Sequence, residues 1–98
     1  MPELAEYRSG LTAEVPIYGV VDGNSGRLVS GRADAVAYGS GKARVVFDWK
    51  SDAAPELGAR SAYSNQIAQY MKVLGAELGA IVYMSLGQVQ WVSPIKTG

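Results

Sequence analysis

The sequence predicts an α+β domain: a short helix, a three-strand antiparallel meander, a long helix and two further strands. Three observations carry that expectation. Between Glu14 and Lys50, three runs rich in Val, Ala, Ile and aromatic residues are separated by glycine-bearing turns. Residues 61–76 carry apolar side chains at helical spacing, and residues 80–92 hold two more short apolar runs around Leu86-Gly87. Elements in that order, each with a face to bury, stack as a sheet with the long helix on one side.

At the N-terminus, Pro2 followed by Glu3 marks the start of a short helix over residues 2–9. The first strand runs from Glu14 to Asp22 through Val15, Ile17, Tyr18, Val20 and Val21. Asp22-Gly23-Asn24-Ser25-Gly26 is a turn signal that feeds a second strand from Arg27 to Tyr38. Gly39 and Gly41 then turn the chain into a third strand from Ala43 to Lys50. The segment Ser51 to Gly58, broken by Pro55 and Gly58, is expected to be loop. The long helix is expected from Ser61 to about Ala76, with Ser61 or an earlier residue as cap and Ile67, Tyr70, Met71, Leu74 and Leu78 on its apolar face. Gly75 and Gly79 end it. Ala80 to Ser85 is a nearly continuous apolar run suited to a buried strand. Gln88 to Val92 alternates as a more exposed one, and Pro94 stops it.

Ninety-eight residues make a single domain, residues 1–98, near the lower end of what encloses its own core. With 48% hydrophobic and 18% charged residues the chain is globular rather than disordered. The lack of cysteine excludes disulfides and thiolate metal sites, and the lack of histidine excludes Ser-His and Cys-His catalysis and imidazole-ligated zinc. Chemistry is left to carboxylate, amine, amide and phenol groups. No apolar run has the length of a membrane span and the N-terminus lacks a signal-peptide pattern, so the expectation is a soluble cytoplasmic protein. Nine basic and nine acidic residues cancel, which argues against strong autonomous nucleic-acid binding.

The chemical interest lies in the hairpin from Gly31 to Lys50. With its turn centred near Gly41, Asp34 falls opposite Asp48, Val36 opposite Val46 and Tyr38 opposite Arg44. Side chains alternate along a strand, so Asp34, Asp48 and Lys50 share one face. Facing carboxylates repel unless a cation lies between them. Two oxygen donors suit Mg²⁺ or Mn²⁺, and a neighbouring ammonium can orient or deprotonate an attacking water, the arrangement of a phosphodiesterase site. Arg32, two positions before Asp34, is expected on the same face, where it contacts phosphate or pairs with an acid. Gln66 and Tyr70 are four apart and stack on one side of the long helix, with Tyr63 one turn earlier. Two tyrosines at that spacing are ordinary core material, but a buried Gln66 amide needs partners.

Gly31-Arg32-Ala33-Asp34, Asp48-Trp49-Lys50 and Gln66-Ile67-Ala68-Gln69-Tyr70 resemble, in order, the Gly-x-x-Asp, Asp/Glu-x-Lys and Gln-x-x-x-Tyr motifs of the RecB-like branch of PD-(D/E)XK nucleases. The resemblance spans roughly residues 12–93 and implies a restriction-endonuclease-like core with the fourth strand paired to the third. It implies Asp34, Asp48 and the carbonyl of Trp49 as ligands of Mg²⁺ or Mn²⁺, with Glu14 or Glu6 as a candidate further ligand. Lys50 would position the water. Gln66, Tyr70 and Tyr63 would support the acids or the DNA backbone.

Residues 46–92 especially resemble the end of helicase-nuclease proteins of the RecB and AddA type. The expected activity is that of a metal-dependent exonuclease acting on DNA in recombination or repair. A helicase or another domain of a larger chain is the expected partner. Two alternatives stand beside it: an inactive nuclease-like module that positions DNA, and a restriction-like endonuclease or junction resolvase.

Overall fold

The computed structural model describes residues 10–22, 27–51 and 57–93. The short helix expected over 2–9, which includes Glu6, lies outside the described residues. The elements are β1 (Leu11–Asp22), β2 (Arg27–Gly39), β3 (Lys42–Lys50), α1 (Leu57–Leu74), β4 (Leu78–Tyr83) and β5 (Gln88–Val92). All five strands join one sheet in the order β1-β2-β3-β4-β5. Three neighbouring pairs are antiparallel, whereas β3 and β4 run parallel. Parallel neighbours need a long crossover, and α1 supplies it. The α+β class is as the sequence predicts, with a mixed five-stranded sheet and one helix among the described residues. No helix among the described residues is long and apolar enough to cross a membrane.

The β2–β3 hairpin turns on Ser40 and Gly41, both with positive φ (54° and 77°). That pair of left-handed residues is the tight turn whose twist matches the flanking strands. The expected pairing of Val36 with Val46 is present, and Ala35 faces Phe47. Tyr38, however, pairs with Ala43 rather than Arg44, because the register shifts between Ala37 and Tyr38 and leaves Arg44 as the extra residue. Serine is a poor left-handed residue where asparagine is a good one. Ser40→Asn is therefore expected to stabilise the domain by about 0.5–1 kcal/mol, read as a higher urea midpoint at unchanged slope.

Helix α1 begins a turn earlier than Ser61, taking in Leu57 and Gly58, which the sequence pattern placed in a loop. It ends at Leu74 because Gly75 takes a left-handed conformation (φ 72°) and Ala76 N–H donates to the Met71 carbonyl at 2.9 Å. Leu78, expected on the helix, is instead the first residue of β4. Ile67, Ala68 and Met71 are buried where α1 crosses the sheet. A Cβ at Gly19, Gly31 or Gly79 would collide with Val73, Tyr70 or Met71, so these bare backbone positions let the helix sit close.

The sheet separates two apolar clusters. Beneath α1 lie Val15, Ile17, Val29, Ala33, Val36, Val46, Ile81 and Tyr83. The other face gathers Ala35, Ala37, Val45, Phe47, Ala80 and Val82, with Trp49 stacked on Phe47 at 5.4 Å. β4 is buried on both faces over Gly79–Tyr83, as its unbroken apolar run predicts. Lys50 and Tyr83, the last residues of β3 and β4, are register partners. The open end of this parallel pair positions the candidate site.

Candidate functional site

The described residues bring Asp34, Asp48 and Lys50 together. The β2–β3 ladder ends at Ala35 opposite Phe47, and the same count continued by one residue sets Asp34 opposite Asp48. Backbone facing changes at this point. Val29, Gly31 and Ala33 face α1, and so does Val36, whereas Ala35 and Ala37 belong to the opposite cluster. Strict alternation would separate Ala33 from Val36, so the facing of β2 resets around Asp34. The neighbouring strand is distorted beside it. Glu14, which falls between the pairs Ala13↔Ala35 and Val15↔Ala33, has a φ of 55°. A non-glycine residue held there costs about 1–3 kcal/mol and is typical of sites where the surrounding structure enforces it.

Freed from the ladder, the Asp34 carboxylate turns toward the end of β3. Its Oδ2 accepts the Trp49 backbone N–H at 2.7 Å, part-buried. Asp48 points to the α1 side, where its Oδ2 lies 3.1 Å from Lys50 Nζ. That ion pair is not aligned as a hydrogen bond, so Asp48 Oδ2 is a buried oxygen with a charge partner but no directed donor. Lys50 Nζ is held from a second side by the ring of Tyr63, 4.3 Å from its centroid. Burial pushes the Asp48 carboxyl above the ordinary carboxylate range, and a hydrogen bond with the Asp34 carboxyl adds to the rise. Lys50 pulls the other way without cancelling it.

Two crowded carboxylates, one of them part-buried with its pKa raised despite a neighbouring ammonium, match the oxygen-donor chemistry of a hard divalent cation. Among the described residues no three His, Cys, Asp or Glu side chains gather as a metal-holding group. Glu14, exposed, stands beside Asp34 in register without joining Asp34 and Asp48 in such a group.

The other expected residues divide. Tyr63 and Tyr70 are half-buried and pack against the core beneath α1, and the Tyr70 hydroxyl occupies the space above Gly31. The Gly-x-x-Asp and Gln-x-x-x-Tyr segments therefore touch through the glycine and the tyrosine. Gln66 is exposed, which corrects the expectation of a buried amide: Ile67 and Met71 occupy the sheet-facing positions and turn Gln66 outward. Arg32 is exposed and does not share a face with Asp34, because it alternates with Gly31 and Ala33 before the facing resets. The sequence pattern also did not reveal a polar relay beside Lys50. Tyr83 Oη donates to Gln90 Oε1 at 2.9 Å, and Gln90 Nε2 donates to Ser64 Oγ at 2.8 Å. A tyrosine within the otherwise apolar run of β4 was its one visible sign, since a buried phenol needs a partner.

No protein-family model matches the chain, and no curated protein matches it. Its fold is similar to a solved structure described as the crystal structure of SSO0001, with a TM-score of 0.66 and 21% sequence identity. The match covers 97% of this chain and 47% of the other, so the chain spans about half the length of that protein.

Proposed function

We propose that this chain is a metal-dependent deoxyribonuclease domain with a restriction-endonuclease-like core of the RecB-like kind, hydrolysing DNA phosphodiester bonds as an exonuclease. The observation that carries the reading is the crowding of the part-buried Asp48 carboxyl against Asp34, with the Lys50 ammonium 3.1 Å from its Oδ2. Carboxylates crowded in this way are costly in an apo protein and useful once a cation binds. Asp34, Asp48 and the Trp49 carbonyl would hold Mg²⁺ or Mn²⁺, which when bound neutralises charge on the phosphoryl oxygens and favours ionisation of water.

The chain's own groups do the positioning. The Trp49 N–H fixes one oxygen of Asp34 and leaves the other for the cation. The Lys50 ammonium, set between Asp48 and the Tyr63 ring, orients the attacking water toward phosphorus and takes up or gives a proton there. The expected products are a 5′-phosphate and a 3′-hydroxyl. Zero net charge places most of the attraction for DNA in the bound cation and in a partner such as a helicase domain.

The test is degradation of end-labelled single- and double-stranded DNA with Mn²⁺, Mg²⁺ or EDTA, beside a covalently closed circle. Metal-dependent loss of the linear substrates alone supports an exonuclease, and cutting of the circle supports an endonuclease instead. A second reading, an inactive DNA-positioning module, is favoured by the lack of a third clustered acid among the described residues. It predicts no saturable Mn²⁺ binding by calorimetry. Saturable binding without cleavage of any substrate would set aside the isolated domain as a nuclease.

A further inference from the structure

Two strands over from Lys50, a second polar feature lies between α1 and β5. A cleft of about 520 Å³ is lined by Arg60, Ser61, Ser64, Asn65 and Gln90. None of these five residues is acidic. The Arg60 guanidinium lies over the ring of Tyr83, 4.8 Å from the centroid, which holds its plane while leaving the N–H edge free to donate. Gln90 is oriented by accepting from Tyr83 and donating to Ser64, so the Ser64 hydroxyl already accepts one bond and has its own O–H left to give. Asn65 and Ser61, both exposed, add an amide and a hydroxyl. The result is a preorganised set of donors around one cation, the chemistry that recognises a phosphate diester.

Its place in the fold relates it to the candidate site. Tyr83, beneath Arg60, is the register partner of Lys50 across neighbouring strands, and such strands lie about 4.8 Å apart. Lys50 is in turn stacked on Tyr63, three residues after Arg60 on the same helix, or about 4.5 Å of helical rise. Two cations, each seated on a tyrosine ring, thus stand side by side along the seam between α1 and the end of the parallel pair. The Arg44–Glu77 pair at the opposite end of β3, by contrast, is an exposed and already neutralised ion pair.

We propose that this cleft binds the DNA backbone at a phosphate neighbouring the scissile one, with Arg60 as its charged contact and Ser64, Asn65 and Gln90 as hydrogen-bonding partners. The inference rests on the nuclease reading above and deepens it. It gives a domain of zero net charge a local cationic track that runs from Lys50 to Arg60.

The test is fluorescence anisotropy of a short labelled single-stranded oligonucleotide on the full chain, with Ca²⁺ replacing Mn²⁺, across a series of KCl concentrations. Arg60→Ala is expected to weaken binding about tenfold, the scale of one charge-assisted contact, and to lower the salt slope by about one. Mn²⁺ binding measured by calorimetry should not change. Replacing single phosphates by neutral methylphosphonates should reveal one linkage whose loss weakens the wild type but leaves Arg60→Ala unaffected, a signature that a merely structural arginine would not give. Should Arg60→Ala fold poorly, Asn65→Asp places a negative charge in the cleft from an exposed position and should also weaken binding. Wild-type binding with unchanged affinity and salt slope in both variants would overturn the cleft while leaving the nuclease reading in place. No oligonucleotide binding by the wild type would overturn the cleft, while the nuclease reading is decided separately by the cleavage and Mn²⁺-binding assays.

Discussion

Asp48→Asn is expected to abolish the proposed metal-dependent cleavage and Mn²⁺ binding while raising the melting temperature measured without metal. The two effects have one cause. The Asp48 carboxyl is partly buried, crowded against Asp34, and balanced only in part by Lys50. Its pKa is raised despite Lys50, so its ionised form is less favourable in the folded chain than in the unfolded one. An asparagine removes that charge, keeps the shape and offers an N–H to Asp34. The gain should be a few degrees, the displacement that ~1 kcal/mol produces in a domain of this size. A raised acidic pKa means that the folded state takes up its proton first as pH falls. The advantage of asparagine is therefore complete above the raised pKa and shrinks as pH drops through it toward the ordinary carboxylate value.

Added Mn²⁺ should reverse the order, because binding stabilises only the chain that can bind. Lys50→Ala separates the roles: it should keep saturable Mn²⁺ binding and lose cleavage, since in the proposed mechanism the lysine acts on water rather than on the cation. Thermal melts with and without Mn²⁺, beside the DNA assay, check all three proteins. A Asp48→Asn protein that melts lower than wild type without metal would remove the premise that the pair is poised for a cation.

Much of this architecture could be read from residue order, because its signals are local. The Gly39-Ser40-Gly41 segment announced the hairpin, Val36 against Val46 set the register, and the unbroken apolar run of β4 marked a strand buried on both faces. What escaped depends on contacts between distant segments. Nothing in residue type marks the reset of facing at Asp34 or the left-handed Glu14 beside it, and that reset turns Arg32 away from the acids. Gln66 lies within an aromatic stripe at helical spacing, yet the helix rotates so that Ile67 and Met71 take the sheet. Helical periodicity gives the width of an apolar face, and its exact centre depends on which positions of the sheet below are bare enough to admit it. For the same reason the alternation of β3 placed Asp48 and Lys50 correctly, whereas the Trp49 N–H that anchors Asp34 was invisible.

Those bare positions motivate the second large effect. Gly31→Ala is expected to destabilise the domain by about 1–3 kcal/mol, the range for an inserted methyl group in a packed site. Gly31 pairs with Ile17 in the β1–β2 ladder, and its missing side chain is the space taken by the Tyr70 hydroxyl. A new Cβ must therefore push back the tyrosine ring or the strand. Because Tyr70 is half-buried on α1, the ring should yield first and carry the helix with it. The same motion would loosen the strand that presents Asp34, three residues along. Tyr70→Phe removes the colliding oxygen and leaves Cζ, 3.0 Å from the new Cβ position, as the nearest contact.

The double variant should accordingly be more stable than the sum of the singles by about 0.5–3 kcal/mol, the range for residues in direct contact. Urea denaturation of the four proteins measures that coupling, and strict additivity would show that Gly31 and Tyr70 do not constrain each other. If the glycine also serves to aim Asp34, Mn²⁺ affinity should fall in Gly31→Ala and return in part with Tyr70→Phe. The first and third sequence motifs would then act on the site as one mechanical unit, with the tyrosine seated in the space that the glycine leaves.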